Sequence, residues 1–102
     1  MREAKIILPI VSGGETAHTS LKVRLCDAFG GVTVTAGEGS WRSPSGAIIN
    51  EPVRIYSVAA EGRETQCATL DSLAQQAGMD LFQETIYIRQ FDGQVTIFDL
   101  RE

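Results

Sequence analysis

The stretch Val53-Arg54-Ile55-Tyr56-Ser57-Val58-Ala59-Ala60, then Glu61-Gly62, then Glu64 to Ala77 (ETQCATLDSLAQQA), decides the architecture. Its first part alternates with period two and is rich in β-branched and aromatic residues, as a strand should be. Val53, Ile55 and Ser57 fall on one face of that strand, Arg54, Tyr56 and Val58 on the other. Past the glycine the period changes. Cys67, Leu70, Leu73, Ala74 and Ala77 form a helical stripe, continued by Leu81 beyond Gly78, which reads as the helix stop. A strand that passes into an amphipathic helix over so short a link is half of a β-α-β unit.

Working outward, the same succession occurs once before. Lys5 to Val11 (KIILPIV) is a nearly continuous apolar run, the mark of a covered strand, and Pro9 sets its edge or end because it cannot donate to a ladder. Ser12-Gly13-Gly14 breaks the run. A helix is expected from about Glu15, with Ala17, Leu21, Leu25, Ala28 and Phe29 on its stripe and Gly30-Gly31 as a left-handed stop. Val32-Thr33-Val34-Thr35 then alternates as a half-buried strand with its valines toward the helix. Gly37 to Pro52 contains a Pro44-Ser45-Gly46 turn and is expected to be a protruding hairpin inserted between the second and third strands. Downstream, Thr85 to Phe91 and Gln94 to Leu100 flank Asp92-Gly93, a strong hairpin signal. The order β-α-β-(hairpin)-β-α-β-β predicts one α+β domain over residues 1–102. Its fold is a ferredoxin-like split β-α-β sandwich, an antiparallel sheet with two helices on one face.

Such a sheet leaves its second face uncovered. With Tyr56, Val58 and an aromatic from the last hairpin expected there, the apolar patch calls for self-association into a dimer or small ring.

Charge and composition exclude several functions. The 102 residues carry a formal charge of −4, with the excess acid concentrated in Glu61, Glu64, Asp71, Asp80 and Glu84 against Arg63 alone. No basic stripe remains for a nucleic-acid backbone and no Lys/Arg-rich amphipathic segment for an anionic membrane. No apolar run is long enough to span a bilayer, and the run at Met1–Val11 lacks the length and cleavage site of a signal peptide. Cys26 and Cys67 have no metal-ligand spacing, and a single histidine, His18, cannot complete a zinc site. Phase along the two helices turns only Cys67 inward, so no disulfide is expected, and two unpaired thiols point to the cytoplasm. No nucleophile elbow, P-loop or dinucleotide fingerprint is present, so neither a cofactor nor a catalytic constellation is indicated.

The residues left to carry function lie in two places. Glu38, Trp41, Arg42 and Glu51 put two carboxylates, a guanidinium and the single tryptophan into the Gly37–Pro52 segment. Trp and Arg are frequent binding anchors, so the first reading is an interaction module presenting this hairpin to a protein partner. Alternatively Trp41 folds over the sheet edge while Arg42 and Glu51 make a cross-strand pair. A second reading is a small enzyme or ligand-binding protein, with His18 and Tyr56 near a pocket as its acid–base candidates.

Gly39, Trp41, Pro44 and Gly46 form a Gly-x-Trp-x-x-Pro-x-Gly pattern, and over Gly30 to Glu51 the sequence resembles a group of uncharacterised small bacterial and phage αβ proteins. The resemblance implies the fold and a mobile-element origin, and no activity. In architecture the Gly37–Pro52 segment is similar to the long loop between the second and third strands of PII-type nitrogen-regulatory proteins, without their nucleotide-binding patterns. Ferredoxin-like monooxygenases and isomerases supply the comparison for an enzyme.

Overall fold

In the computed structural model, which describes residues 1–101, the chain runs β1 (Arg2–Pro9), α1 (Glu15–Phe29), β2 (Thr33–Arg42), β3 (Ile48–Ala60), α2 (Glu64–Asp80), β4 (Thr85–Arg89) and β5 (Val95–Asp99). The strands form one sheet in the order β2-β3-β1-β4-β5, with each neighbouring pair antiparallel. This is the ferredoxin-like α+β arrangement, extended by β5 beyond β4. Among the described residues no helix is long and apolar enough to cross a membrane.

Alternation along the strands sorts the core. Ala4, Ile6 and Leu8 of β1, Tyr56, Val58 and Ala60 of β3, and Ile86 and Ile88 of β4 are buried against Leu21 and Leu25 of α1 and Leu70, Ala74 and Ala77 of α2. Ile6 pairs with Tyr56 on one side and Ile88 on the other. A slip of one residue would turn Lys5 and Arg89 into this core, so the register is strongly fixed.

Tyr56 and Val58 therefore face the helices, which corrects their expected place on the open face. That face instead carries the alternate set, Ile7, Val53, Ile55, Tyr87 and Ile97, because the helix stripes cover the side where the larger apolar surface is continuous. Cys26 and Cys67 are free.

The expected Gly37–Pro52 hairpin is present, and it continues the two strands that it joins. The β2–β3 ladder runs unbroken from Thr33 opposite Ser57 to Arg42 opposite Ile48. The turn that closes it is set by Ser43 N–H donating to the Ala47 carbonyl and Gly46 N–H to that of Ser43. Gly37 and Gly39 pair with Val53 and Glu51 inside the ribbon. Because β1 ends at Pro9 opposite Val53, the far half of the ribbon projects beyond the sheet body.

Gly78 corrects a second expectation, for it lies within α2 and does not stop it. A Cβ there would stand 2.5 Å from Ile86 Cγ2 and 2.7 Å from Leu100 Cδ1. The glycine allows the helix to approach β4. Overpacking at such a site costs about 1–3 kcal/mol, against roughly 1 kcal/mol of helix propensity gained by alanine. Gly78→Ala is expected to lower the urea midpoint, corresponding to a net loss of about 1 kcal/mol. An unchanged or raised midpoint would mean that β4 and Leu100 yield freely.

Candidate functional site

The structure brings His18 and Tyr56 together. His18, one turn into α1, is 2% exposed, and Tyr56 on β3 is 1% exposed. Imidazole Nε2 lies 2.9 Å from the Pro9 carbonyl oxygen, which only accepts, so Nε2 carries the hydrogen. Nδ1 then accepts from the Tyr56 hydroxyl at 2.5 Å. Burial pushes the Tyr56 hydroxyl above its ordinary range, with nearby Arg54 pulling it part of the way back, so it stays a donor. Both imidazole nitrogens are occupied within the protein. The pair ties α1, β3 and the end of β1 together, and both side chains line a cleft.

A small polar cleft of about 210 Å³ opens beside this pair, between Glu15, Lys22, Val34 and Arg54. Its lining includes a bidentate Arg54–Glu15 pair at 2.9 and 3.2 Å. The Arg54 hydrogen bonds hold the Glu15 carboxyl below its usual range.

A larger cavity, of about 700 Å³, lies on the opposite, open face of the sheet. Its floor is Ile7 and Pro9 of β1 and Val53 of β3. Trp41 and Gly39 of β2 and Glu51 of β3 form one flank, and Tyr87, Ile97 and the Phe82–Thr85 connection form the other. Strand parity explains this set: Gly39 pairs with Glu51 and Trp41 with Ile49, so their side-chain positions share one face. Gly39 keeps that floor clear, because a Cβ would stand 3.4 Å from Val53 and project into the cavity.

The cavity wall contains no lysine or arginine. It carries two carboxylates, of which Glu84 meets Arg101 at 3.5 Å. Glu51 is half-buried and, among the described residues, has no ion-pair partner. An unpaired carboxylate among aromatic rings favours a cationic ligand. The Pro9 carbonyl bonded by His18 belongs to a residue of the cavity floor.

Of the four residues expected at the hairpin, Trp41 and Glu51 thus meet in the cavity. Glu38 and Arg42 occupy alternate positions and fall on the other face. Arg42 does not pair with Glu51; its guanidinium donates to the Gly46 carbonyl at 2.7 Å and stiffens the turn. Trp41 remains 47% exposed rather than folded away. Tyr87, Phe82 and Gln83 escaped sequence reasoning. The alternation of Thr85–Arg89 does place Tyr87 opposite the core face, but nothing in the sequence marks the connection before it. Among the described residues no group of three His, Cys, Asp or Glu side chains forms a metal site.

No protein-family model matches the chain, and no curated protein matches it. Among solved structures it is similar to a phage SAM lyase in the apo state, with a TM-score of 0.73 and 15% identity over 98% of this chain and 90% of that one. It is also similar to a phage SAM lyase in complex with S-methyl-5'-thioadenosine, with a TM-score of 0.69 and 17% identity over 95% of this chain and 88% of the other. At these identities the likeness shows a shared fold. It speaks against the reading of the chain as an interaction module presenting Trp41 and Arg42 to a protein partner, because both of these similar structures are of an enzyme. The second reading, a small ligand-binding protein or enzyme, is the one the comparisons favour.

Proposed function

We propose that the chain is a small lyase of S-adenosylmethionine, or of a closely related adenosyl sulfonium compound, and that the open-face cavity is its substrate site. The observation that carries this reading is the meeting of Trp41, Tyr87 and unpaired Glu51 in one cavity devoid of basic residues. A sulfonium nucleoside offers a permanent cation for the carboxylate and the ring faces, and a flat base for stacking. The cavity is of the size that small-molecule sites usually have, roughly 300–1,000 Å³. The likeness to phage SAM lyase over nearly the full chain supports the choice of sulfonium substrate.

Release of S-methyl-5'-thioadenosine from S-adenosylmethionine breaks the bond between sulfur and the methionine γ-carbon. The bonding electron pair goes to sulfur, which becomes a neutral thioether. The four-carbon fragment closes its own carboxylate oxygen onto the γ-carbon as a lactone, or loses a β-proton to a base as an alkene. Neither route consumes water in the bond-breaking step. In the first, carboxylate and sulfonium charges annihilate, a change that apolar walls such as Ile7, Val53 and Ile97 favour over water.

The test is incubation of the purified chain with S-adenosylmethionine and chromatography of the products. Appearance of S-methyl-5'-thioadenosine with a four-carbon amino acid or lactone is expected. Release of S-adenosylhomocysteine, or no turnover, would remove the lyase reading. Within the same proposal the chain has a phage or bacterial origin and works in the cytoplasm, in keeping with its free cysteines. Self-association through the open face, into a dimer or small ring, belongs to it too. Ile49 and Ile97 are exposed on that face, and the native mass of the assayed protein reports the state.

A further inference from the structure

Phe82 is the most exposed apolar side chain of the sheet's open end, 93% accessible, and the only non-glycine residue among those described with a positive φ, 56°. A bulky L-residue in the left-handed region is disfavoured by contact between its Cβ and the backbone. Here the backbone around it is pinned. Leu81 is sunk in the core, Phe82 N–H donates to the Met79 carbonyl at 3.0 Å, and Gln83 N–H donates to that of Gly78 at 2.9 Å. A conformation that glycine or asparagine would adopt more readily is thus held by an aromatic residue that packs on little of its own protein. Both Phe82 and Gln83 line the large cavity.

Gln83 adds direction. Its Nε2 donates to the Leu81 carbonyl at 3.1 Å, which fixes the amide orientation, since only the nitrogen can donate to a carbonyl. The amide oxygen is then the available acceptor of that side chain.

We propose that the α2–β4 connection is the base-recognition element of the cavity: Phe82 stacks on the purine, and Gln83 Oε1 accepts from the exocyclic amine of adenine. The sulfonium end of the ligand then lies toward Trp41 and Glu51. This deepens the substrate reading given above and rests on it for the identity of the ligand. The geometry also distinguishes bases. Inosine and guanosine present a carbonyl oxygen where adenosine presents the amine, and two acceptors would face each other.

The single tryptophan, Trp41, reports binding by its fluorescence. Titrations use S-adenosylmethionine, S-methyl-5'-thioadenosine, its inosine counterpart and adenosine, on the wild-type chain, Phe82→Gly and Gln83→Ala. The wild type is expected to prefer S-methyl-5'-thioadenosine to the inosine counterpart by about tenfold or more, as hydrogen-bonding sites reject analogues that lack the group. Phe82→Gly is expected to weaken S-methyl-5'-thioadenosine about tenfold, in the range of one lost base–aromatic stack. Its Tm should be unchanged or raised, because the left-handed conformation suits glycine. A merely structural Phe82 would give a lower Tm. Gln83→Ala is expected to erase the adenine preference.

Wild-type affinity for S-methyl-5'-thioadenosine in Phe82→Gly would overturn this inference and leave the lyase reading standing. Phe82-dependent binding of adenosine, with none of either sulfur compound, would uphold base recognition and remove the lyase reading. Binding of none of the four compounds would overturn both.

Discussion

His18→Ala is expected to lower the unfolding free energy by about 3–5 kcal/mol, from two buried partners left unpaired at about 1–3 kcal/mol each and a cavity at the α1–sheet contact. The partners are the Pro9 carbonyl and the Tyr56 hydroxyl. That is a large part of the ~5–15 kcal/mol by which domains are stable. Tyr56→Phe should cost less, about 1–2 kcal/mol, since only Nδ1 loses its donor. Urea unfolding followed by circular dichroism gives both values. Losses below about 1 kcal/mol would show that water replaces the partners readily.

The same pair makes a prediction in alkali. Burial raises the Tyr56 hydroxyl above its ordinary value of 10.0. Between that value and the folded one, the unfolded chain gives up the tyrosine proton while the native chain keeps it. Stability is therefore fully present below about pH 10 and falls as the pH rises past it. The difference in alkaline slope between the wild type and Tyr56→Phe isolates this contribution.

What the sequence made legible follows from which physical signals are local. Both helices and their approach to the sheet are written in apolar periodicity, and the closing hairpin in Asp92-Gly93. The Gly37–Pro52 hairpin is legible in its Pro44-Ser45-Gly46 turn, but the continuity of its arms with the second and third strands is not, because glycine is a poor strand former in isolation. In the folded chain it gains a neighbour: Gly37 and Gly39 sit opposite Val53 and Glu51, and the partner strand supplies the order they lack. Gly78 was misread for the converse reason, a close approach by Ile86 and Leu100 that no local pattern records. The face assignment of Tyr56 needed knowledge of which side the helices take. Trp41 and Glu51 were identifiable from residue type, but their separation from Glu38 and Arg42 appears only once the ladder register is known. Phe82 and Gln83 lie in a connection where no periodicity operates.

Glu51→Gln tests the proposed lyase chemistry of the cavity directly, and its expected signature is a split between the proposed substrate and its product. The carboxylate is half-buried in a wall without lysine or arginine and without an ion-pair partner among the described residues. A sulfonium at contact distance gains Coulomb energy of about 4 kcal/mol at an effective dielectric of 20, part of which is offset by desolvation. A net of about 2 kcal/mol corresponds to a roughly 30-fold weaker substrate affinity when the charge is removed. S-methyl-5'-thioadenosine carries no positive sulfur, so its affinity should change less than about twofold, a few tenths of a kcal/mol. Stability should be nearly unchanged, because no ion pair is broken. If Glu51 instead acted as the base that removes a β-proton, turnover would fall by about 10²–10⁴ with KM preserved. Equal weakening of S-adenosylmethionine and S-methyl-5'-thioadenosine would show that Glu51 meets the nucleoside rather than the sulfonium. On the proposed reading, a carboxylate that holds the charged substrate and releases the neutral product also accounts for its isolation from cations: a partnered Glu51 would have no charge left to distinguish the two.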